Sequence, residues 1–268
     1  LLVIGGSAVY SGAPTLVSMA AMRSGVDLVY LATPQKNAYE ITSISPDLIT
    51  IKLEGDNLNP ANVSALEPYI KAVGVVALGP GMGLAEETQA FSEKVIALVE
   101  RAGKPLLLDA DGLKAFAKFK RPLKVPLVLT PHAGEYGILT GETLPESLEE
   151  KAAAIKNVAK KLNATILLKG KVDIISNGEK TKLNFTGNPG MTVGGTGDVL
   201  AGIVAGLMAL HADPFEAAVV GAFVNGAAGD FVTSNIGYHM AASDIIKYIP
   251  LFLDKPMEHL KVENPSGQ

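Results

Sequence analysis

What most constrains this chain is a repeated alternation. Short runs of Val, Ile and Leu close on glycine or proline turns and give way to helical patterns. Residues 1–4, 26–31, 73–78, 106–108, 127–129 and 166–168 read as strands. They are apolar at successive positions rather than at every second one, which is what a strand covered on both faces shows. Helical patterns fall at 15–24, 86–101, 113–119 and 148–162. Such alternation builds βαβ units and predicts an α/β fold, a mostly parallel central sheet with helices on both faces. Residues 172–176 and 182–184, joined around Asn177-Gly178, predict a hairpin. From Thr196 the chain turns helical, over 198–210, 214–234 and 241–253. With no linker or repeat in sight, one domain is expected over 1–255, followed by a polar tail at 256–268.

Composition removes several classes. Charged residues are 19% against 48% hydrophobic, so the 268 residues are not a disordered chain. A net charge of −4 lacks the basic footprint of a nucleic-acid binder. Cysteine is absent, which excludes disulfides, thiolate metal sites and cysteine nucleophiles and fits a reducing, cytoplasmic setting. The apolar run 199–210 is too short to span a bilayer, and no membrane partner is expected.

The strongest motif is Asn188-Pro-Gly-Met-Thr-Val-Gly-Gly-Thr-Gly-Asp198-Val-Leu-Ala-Gly202. Glycines leading into a helix leave backbone N–H groups free to hold an anion at the positive end of the helix dipole. The N–H groups of Gly195, Thr196 and Gly197 form a candidate anion hole. Asp198 beside it suits a general base that takes a hydroxyl proton while the helix start holds a phosphoryl group. A plain helix cap is the competing reading of Asp198. No Lys-Ser/Thr follows, so this is not a Walker loop, and Gly79-Pro-Gly81-Met-Gly83 misses the dinucleotide spacing.

These residues resemble the ribokinase-like superfamily. Within it an ordered series is similar to the ADP- or ATP-dependent NAD(P)H-hydrate dehydratase family. The series runs Val3-Ile-Gly-Gly-Ser7, Tyr10-Ser-Gly-Ala13-Pro, Leu78-Gly-Pro-Gly-Met-Gly83, Leu108-Asp-Ala-Asp111-Gly, Leu129-Thr-Pro-His132-Ala-Gly-Glu135, Leu168-Lys169-Gly and the Asp198 motif. The resemblance implies repair of the S epimer of hydrated NADH or NADPH. A nucleotide phosphorylates the C6 hydroxyl, and phosphate leaves as the ring double bond reforms. With ADP, the usual donor in bacteria and archaea, the other product is AMP.

By the same resemblance Asp198 is catalytic and touches substrate together with Ala13, Gly81, Gly83 and His132. Lys169, Gly170, Lys171, Val172, Asp173 and Gly197 hold the nucleotide. Glu135 helps hold Mg2+ through water. The chain departs from the Lys-Gly-x-x-Thr pattern with Asp173 in place of Thr, so that carboxylate is expected to point away from the phosphates or to bind ribose. Asp109 and Asp111 could sit near metal or substrate, or cap a turn. The basic run from Lys114 to Lys124 reads as a solvated surface or as an attractor for pyrophosphate. The family further implies a homo-oligomer, often a tetramer, with apolar helices such as 214–234 as interface, and frequent fusion to an epimerase. The alternatives are a small-molecule kinase of the same superfamily, for hydroxyethylthiazole or hydroxymethylpyrimidine, and a non-catalytic nucleotide sensor.

Overall fold

The computed structural model describes residues 1–259. Its strands are β1 (Leu2–Ile4), β2 (Tyr30–Pro34), β3 (Ile49–Leu53), β4 (Val76–Leu78), β5 (Leu106–Leu108), β6 (Leu127–Leu129), β7 (Thr165–Leu168), β8 (Asp173–Ser176) and β9 (Thr181–Asn184). The helices are α1 (Gly12–Arg23), α2 (Gln35–Ile44), α3 (Val63–Ala72), α4 (Glu86–Arg101), α5 (Ala110–Ala117), α6 (Ala133–Thr140), α7 (Leu148–Leu162), α8 (Thr196–Ala209), α9 (Pro214–Ile236), α10 (Ala242–Ile246), α11 (Ile249–Asp254) and α12 (Pro256–His259).

One sheet runs β3-β2-β1-β4-β5-β6-β7-β8-β9. It is parallel from β3 to β7, and the expected hairpin β8–β9 closes it antiparallel. The chain winds outward from β1 in one direction, then restarts at β4 in the other. That reversal opens a crevice beyond the carboxyl ends of β1 and β4, where ligands bind in sheets of this kind.

The strand side chains alternate between two apolar layers. Leu2, Ile4, Leu106 and Leu108 pack with Ile70, Phe91, Phe116 and Ile155 on one face. Val3, Leu107, Val128 and Leu167 pack with Val17, Leu200, Val204 and Ala218 on the other. This double cover is why the strands carry no polar alternation. Helices α1 and α8 meet almost backbone to backbone. A Cβ on Gly202 would lie 2.3 Å from the Val17 carbonyl oxygen.

Several boundaries differ from expectation. The second strand starts at Tyr30 rather than Val26, because Gly25 turns at φ +98° and Leu28 is exposed. Edge strand β3 and helices α2, α3 and α6 had no predicted counterpart. The helix expected over 241–253 breaks into α10 and α11. Pro250 sits at the start of α11, where its missing N–H and its ring prevent continuation of the preceding helix. Helix α9 is long and apolar enough to cross a membrane, yet 67% of its most apolar window is buried inside the protein. Its Ala218, Ala222, Val224 and Ala228 serve the chain's own core, while Val220 and Ile236 are exposed. Of the tail expected over 256–268, the first residues form α12 and the remainder lies outside the described residues.

Candidate active site

The site lies at the carboxyl ends of the parallel strands, where α8 begins. Gly195 caps that helix at φ +98°, and a Cβ there would come within 2.7 Å of Leu16 on α1. Among the described residues no side chain caps the helix start. The Thr196 hydroxyl is turned back to the Met191 carbonyl at 2.8 Å, so what it presents forward is its N–H. The glycine run thus delivers an open, positively polarised helix end.

Asp198 sits in the first turn of α8, half-buried. Its pKa is pushed up to about 7, first by burial and then by the neighbouring negative charge of Asp109, with Glu135 and Asp111 adding to it. Lys169 opposes the shift. A side chain serving only as a helix cap would accept a backbone N–H, and among the described residues none donates to the Asp198 side chain.

Lys169, at the end of β7, organises the charges. Its Nζ donates to Asp109 Oδ1 at 2.8 Å and stands 3.8 Å from Glu135 Oε2. It also lies 3.5 Å from the position a Gly197 Cβ would occupy, so the ammonium reaches the head of α8. Burial alone would lower the pKa of this lysine, but the charges of Asp109 and Glu135 outweigh it and hold it above the ordinary value. Asp109 is buried and also accepts from the Thr130 hydroxyl at 2.7 Å. It therefore ties the ends of β5, β6 and β7 together rather than capping α5.

Glu135 and His132 form a reciprocal cap at the start of α6. Glu135 Oε2 accepts from the His132 N–H at 2.9 Å, and His132 Nδ1 accepts from Gly134 and Glu135. With Nδ1 accepting, the neutral ring carries its proton on Nε2, and the ring is exposed. Nearby, Gly81 turns at φ +63°, and a Cβ there would lie 3.3 Å from Ala13 Cβ. The Gly83 N–H donates to Asp111 Oδ2 at 2.8 Å, which assigns Asp111 to holding this loop. Gly79 lies so close to α5 that a Cβ would meet the Asp109 carbonyl oxygen. Ala13, Gly81 and Gly83 are thereby gathered at the β1–β4 crevice, and His132 stands beside Glu135 and Lys169.

On the other side of Lys169 opens a cavity of about 690 Å³. Lys169, Gly170, Lys171, Val172, Asp173 and Gly197, all expected at one nucleotide, line it together with Thr196. Both carboxylate oxygens of Asp173 are engaged within the chain. Its oxygens accept from the Gly170 N–H at 3.0 Å and from Asn184 Nδ2 at 3.0 Å. The basic run is also used within the chain. Arg121 grips Glu100 with two bonds, Lys114 pairs with Asp111, Lys118 with Gln89, and Lys120 donates to the Leu139 carbonyl. Asn225 and Asp230, which carried no motif, shape the cavity from α9. Asp230 accepts from the Gly187 N–H and from Asn188 Nδ2, fixing the segment that walls it.

The mostly parallel sheet with one direction reversal, the open glycine-rich helix start and the acid in its first turn go with a ribokinase-like fold. A ribokinase-like superfamily protein of Enterococcus faecalis shares it at a TM-score of 0.81 and 28% identity, over 95% of this chain and 86% of that one. More narrowly, the chain belongs to the NAD(P)H-hydrate dehydratase family, whose model matches residues 1–251. It is 49% identical over 252 residues to a bifunctional NAD(P)H-hydrate repair enzyme of Pyrobaculum aerophilum, covering 93% of this chain but 49% of that one. The chain thus spans about half the length of such bifunctional relatives. It is 42% identical to the ADP-dependent (S)-NAD(P)H-hydrate dehydratase of Cenarchaeum symbiosum, covering 97% of this chain and 90% of the relative. Among solved structures it is similar to the ADP/ATP-dependent NAD(P)H-hydrate dehydratase of Bacillus subtilis, co-crystallized with ATP/Mg2+ and soaked with CoA. There the TM-score is 0.79 with 27% identity, over 95% of this chain and 90% of that one.

Proposed function

We propose that this chain dehydrates the S epimer of hydrated NADH or NADPH at the expense of ADP or ATP. The observation that carries the reading is Asp198, a carboxylate with its pKa pushed up to about 7 at the open start of α8. A base poised near neutrality takes the C6 hydroxyl proton as the oxygen attacks the terminal phosphoryl group. The N–H groups of Gly195, Thr196 and Gly197 and the Lys169 ammonium face the charge that develops there. The transfer turns ADP into AMP; phosphate then leaves with the C6–O bonding electrons, C5 gives up a proton to solvent, and the C5–C6 double bond reforms. Ala13, Gly81, Gly83 and His132 hold the hydrated dinucleotide, and the cavity lined by residues 169–173 holds the nucleotide.

Among the described residues no three metal-binding side chains converge. The donor set fits Mg2+ held by phosphate and water, with the Glu135 carboxylate reaching it through water, rather than an all-protein cage. When bound, Mg2+ neutralises phosphate charge. We treat residues 1–255 as one catalytic domain working in the cytoplasm, as a homo-oligomer, with an epimerase activity supplying the S form.

The direct test follows the near-ultraviolet absorbance of the reduced nicotinamide ring as hydrated NADH is incubated with Mg2+ and ADP or ATP. Growth of the signal with release of AMP and phosphate is the expected result. No growth from protein that still binds nucleotide would return the chain to the small-molecule kinases.

A further inference from the structure

Asn225 lies on α9 in an otherwise apolar stretch, Ala222 to Ala228. It is 7% exposed and lines the cavity. Its Oδ1 has no hydrogen-bond partner among the described residues. The other such atom, Thr33 Oγ1, lies beneath Gly6, remote from the cavity lining. A buried amide oxygen left unpaired is costly. In a residue that borders a cavity, that oxygen is matched when a ligand turns the amide outward and supplies the donor.

The side chain is held in place by what surrounds it. The segment leading out of β9 is bonded to the α9 backbone on the N-terminal side of Asn225. Asn184 Nδ2 donates to the Ala222 carbonyl and the Thr186 hydroxyl to the Phe223 carbonyl, both at 3.2 Å. On the other side Gly226 is pressed against Thr186, where a Cβ would lie 2.2 Å from Oγ1. The helix is thus anchored on both sides of Asn225. Val172, Phe185, Met191 and Leu200 give the cavity apolar walls suited to a flat ring. Lys169 and Gly197 mark its phosphate end.

An asparagine amide presents an acceptor beside a donor, which matches the N6 amino group and N7 of adenine. A 6-oxopurine presents two acceptors on that edge and would face Oδ1 with a second oxygen. We infer that Asn225 reads the amino edge of adenine and makes this site select adenosine over 6-oxopurine nucleotides. The inference rests on the reading of the cavity as the nucleotide site.

The test titrates the wild-type protein with ADP, inosine diphosphate and purine riboside diphosphate by calorimetry. This series needs no variant, so folding cannot confuse it. ADP is expected to bind roughly ten- to a hundredfold more tightly than inosine diphosphate, with the purine riboside form between them. Asn225→Leu should remove most of that preference. Equal affinities for ADP and inosine diphosphate in the wild type would overturn the inference and leave the nucleotide site standing. A preference that persists in Asn225→Leu would overturn it too. Absence of ADP binding altogether would remove the nucleotide reading and this inference with it.

Discussion

Replacing Asp198 by Asn separates the cost of the site from its use. Folding lifts the Asp198 pKa from 3.8 to about 7. Three pKa units correspond to about 4 kcal/mol. Solvent screening at this half-buried position reduces that to roughly 2–3 kcal/mol of destabilisation carried by the ionised carboxylate. The sign follows from proton linkage. Between the unfolded and folded pKa values the native state holds a proton that the unfolded chain has lost, so wild-type stability falls as pH rises from about 4 to about 7. Below that window the carboxyl is neutral in both states, and above it the full cost is present. Asn keeps the shape without the charge. The variant should therefore melt roughly 5–10 °C above wild type at a pH of about 8.5, with the gain vanishing near pH 4. Its turnover should fall about a hundred- to ten-thousandfold while ADP still binds. Melting curves at the two pH values, with turnover followed by nicotinamide absorbance, check both halves. A variant no more stable than wild type at high pH would refute the burial argument, and retained turnover would refute the base.

The same carboxylate should give kcat a limb that rises with pH and levels above about 7, and a profile flat across that range would assign the proton to another group. Lys169→Met should leave Asp109 charged and buried without its 2.8 Å partner, costing about 3–5 kcal/mol in denaturant unfolding. It should also move the rising limb to higher pH, because Lys169 now holds the Asp198 pKa down, and an unmoved limb would break that coupling. Gly202→Ala should lower stability by about 1–3 kcal/mol, since the new methyl meets the Val17 backbone; an unchanged denaturation midpoint would show that α1 and α8 can separate without penalty.

The central sheet was legible because strands covered on both faces leave unbroken apolar runs, as in Leu106–Leu108. Strand β3 was not, since its Lys52 stands exposed between buried Ile51 and Leu53 and breaks the run. The Asp198 motif was legible because a turn at φ +98° and an open helix end demand glycine at fixed positions. The grouping of Asp109 with Lys169 was not. They stand 60 residues apart in sequence and meet only because β5, β6 and β7 are neighbours in the sheet. Asp173 was read as a departure from a nucleotide pattern, and its neighbours account for it by bonding both oxygens. Asn225 left no signal, because a single amide in an apolar helix looks like a core residue until its cavity is seen.

The close meeting of α1 with α8 has a consequence for how the protein is made. The first partner leaves the ribosome about 180 residues before the second. At roughly 5–20 residues per second, α1 waits about 10–40 s for the surface that Gly202 provides. Until then Val17 and Ala21 have no cover from α8, and the open helix start that carries Asp198 does not exist. A nascent chain halted before Thr196 is therefore an intermediate with uncovered apolar surface, and its hold-up during synthesis is set by topology rather than by any weakness of the finished fold.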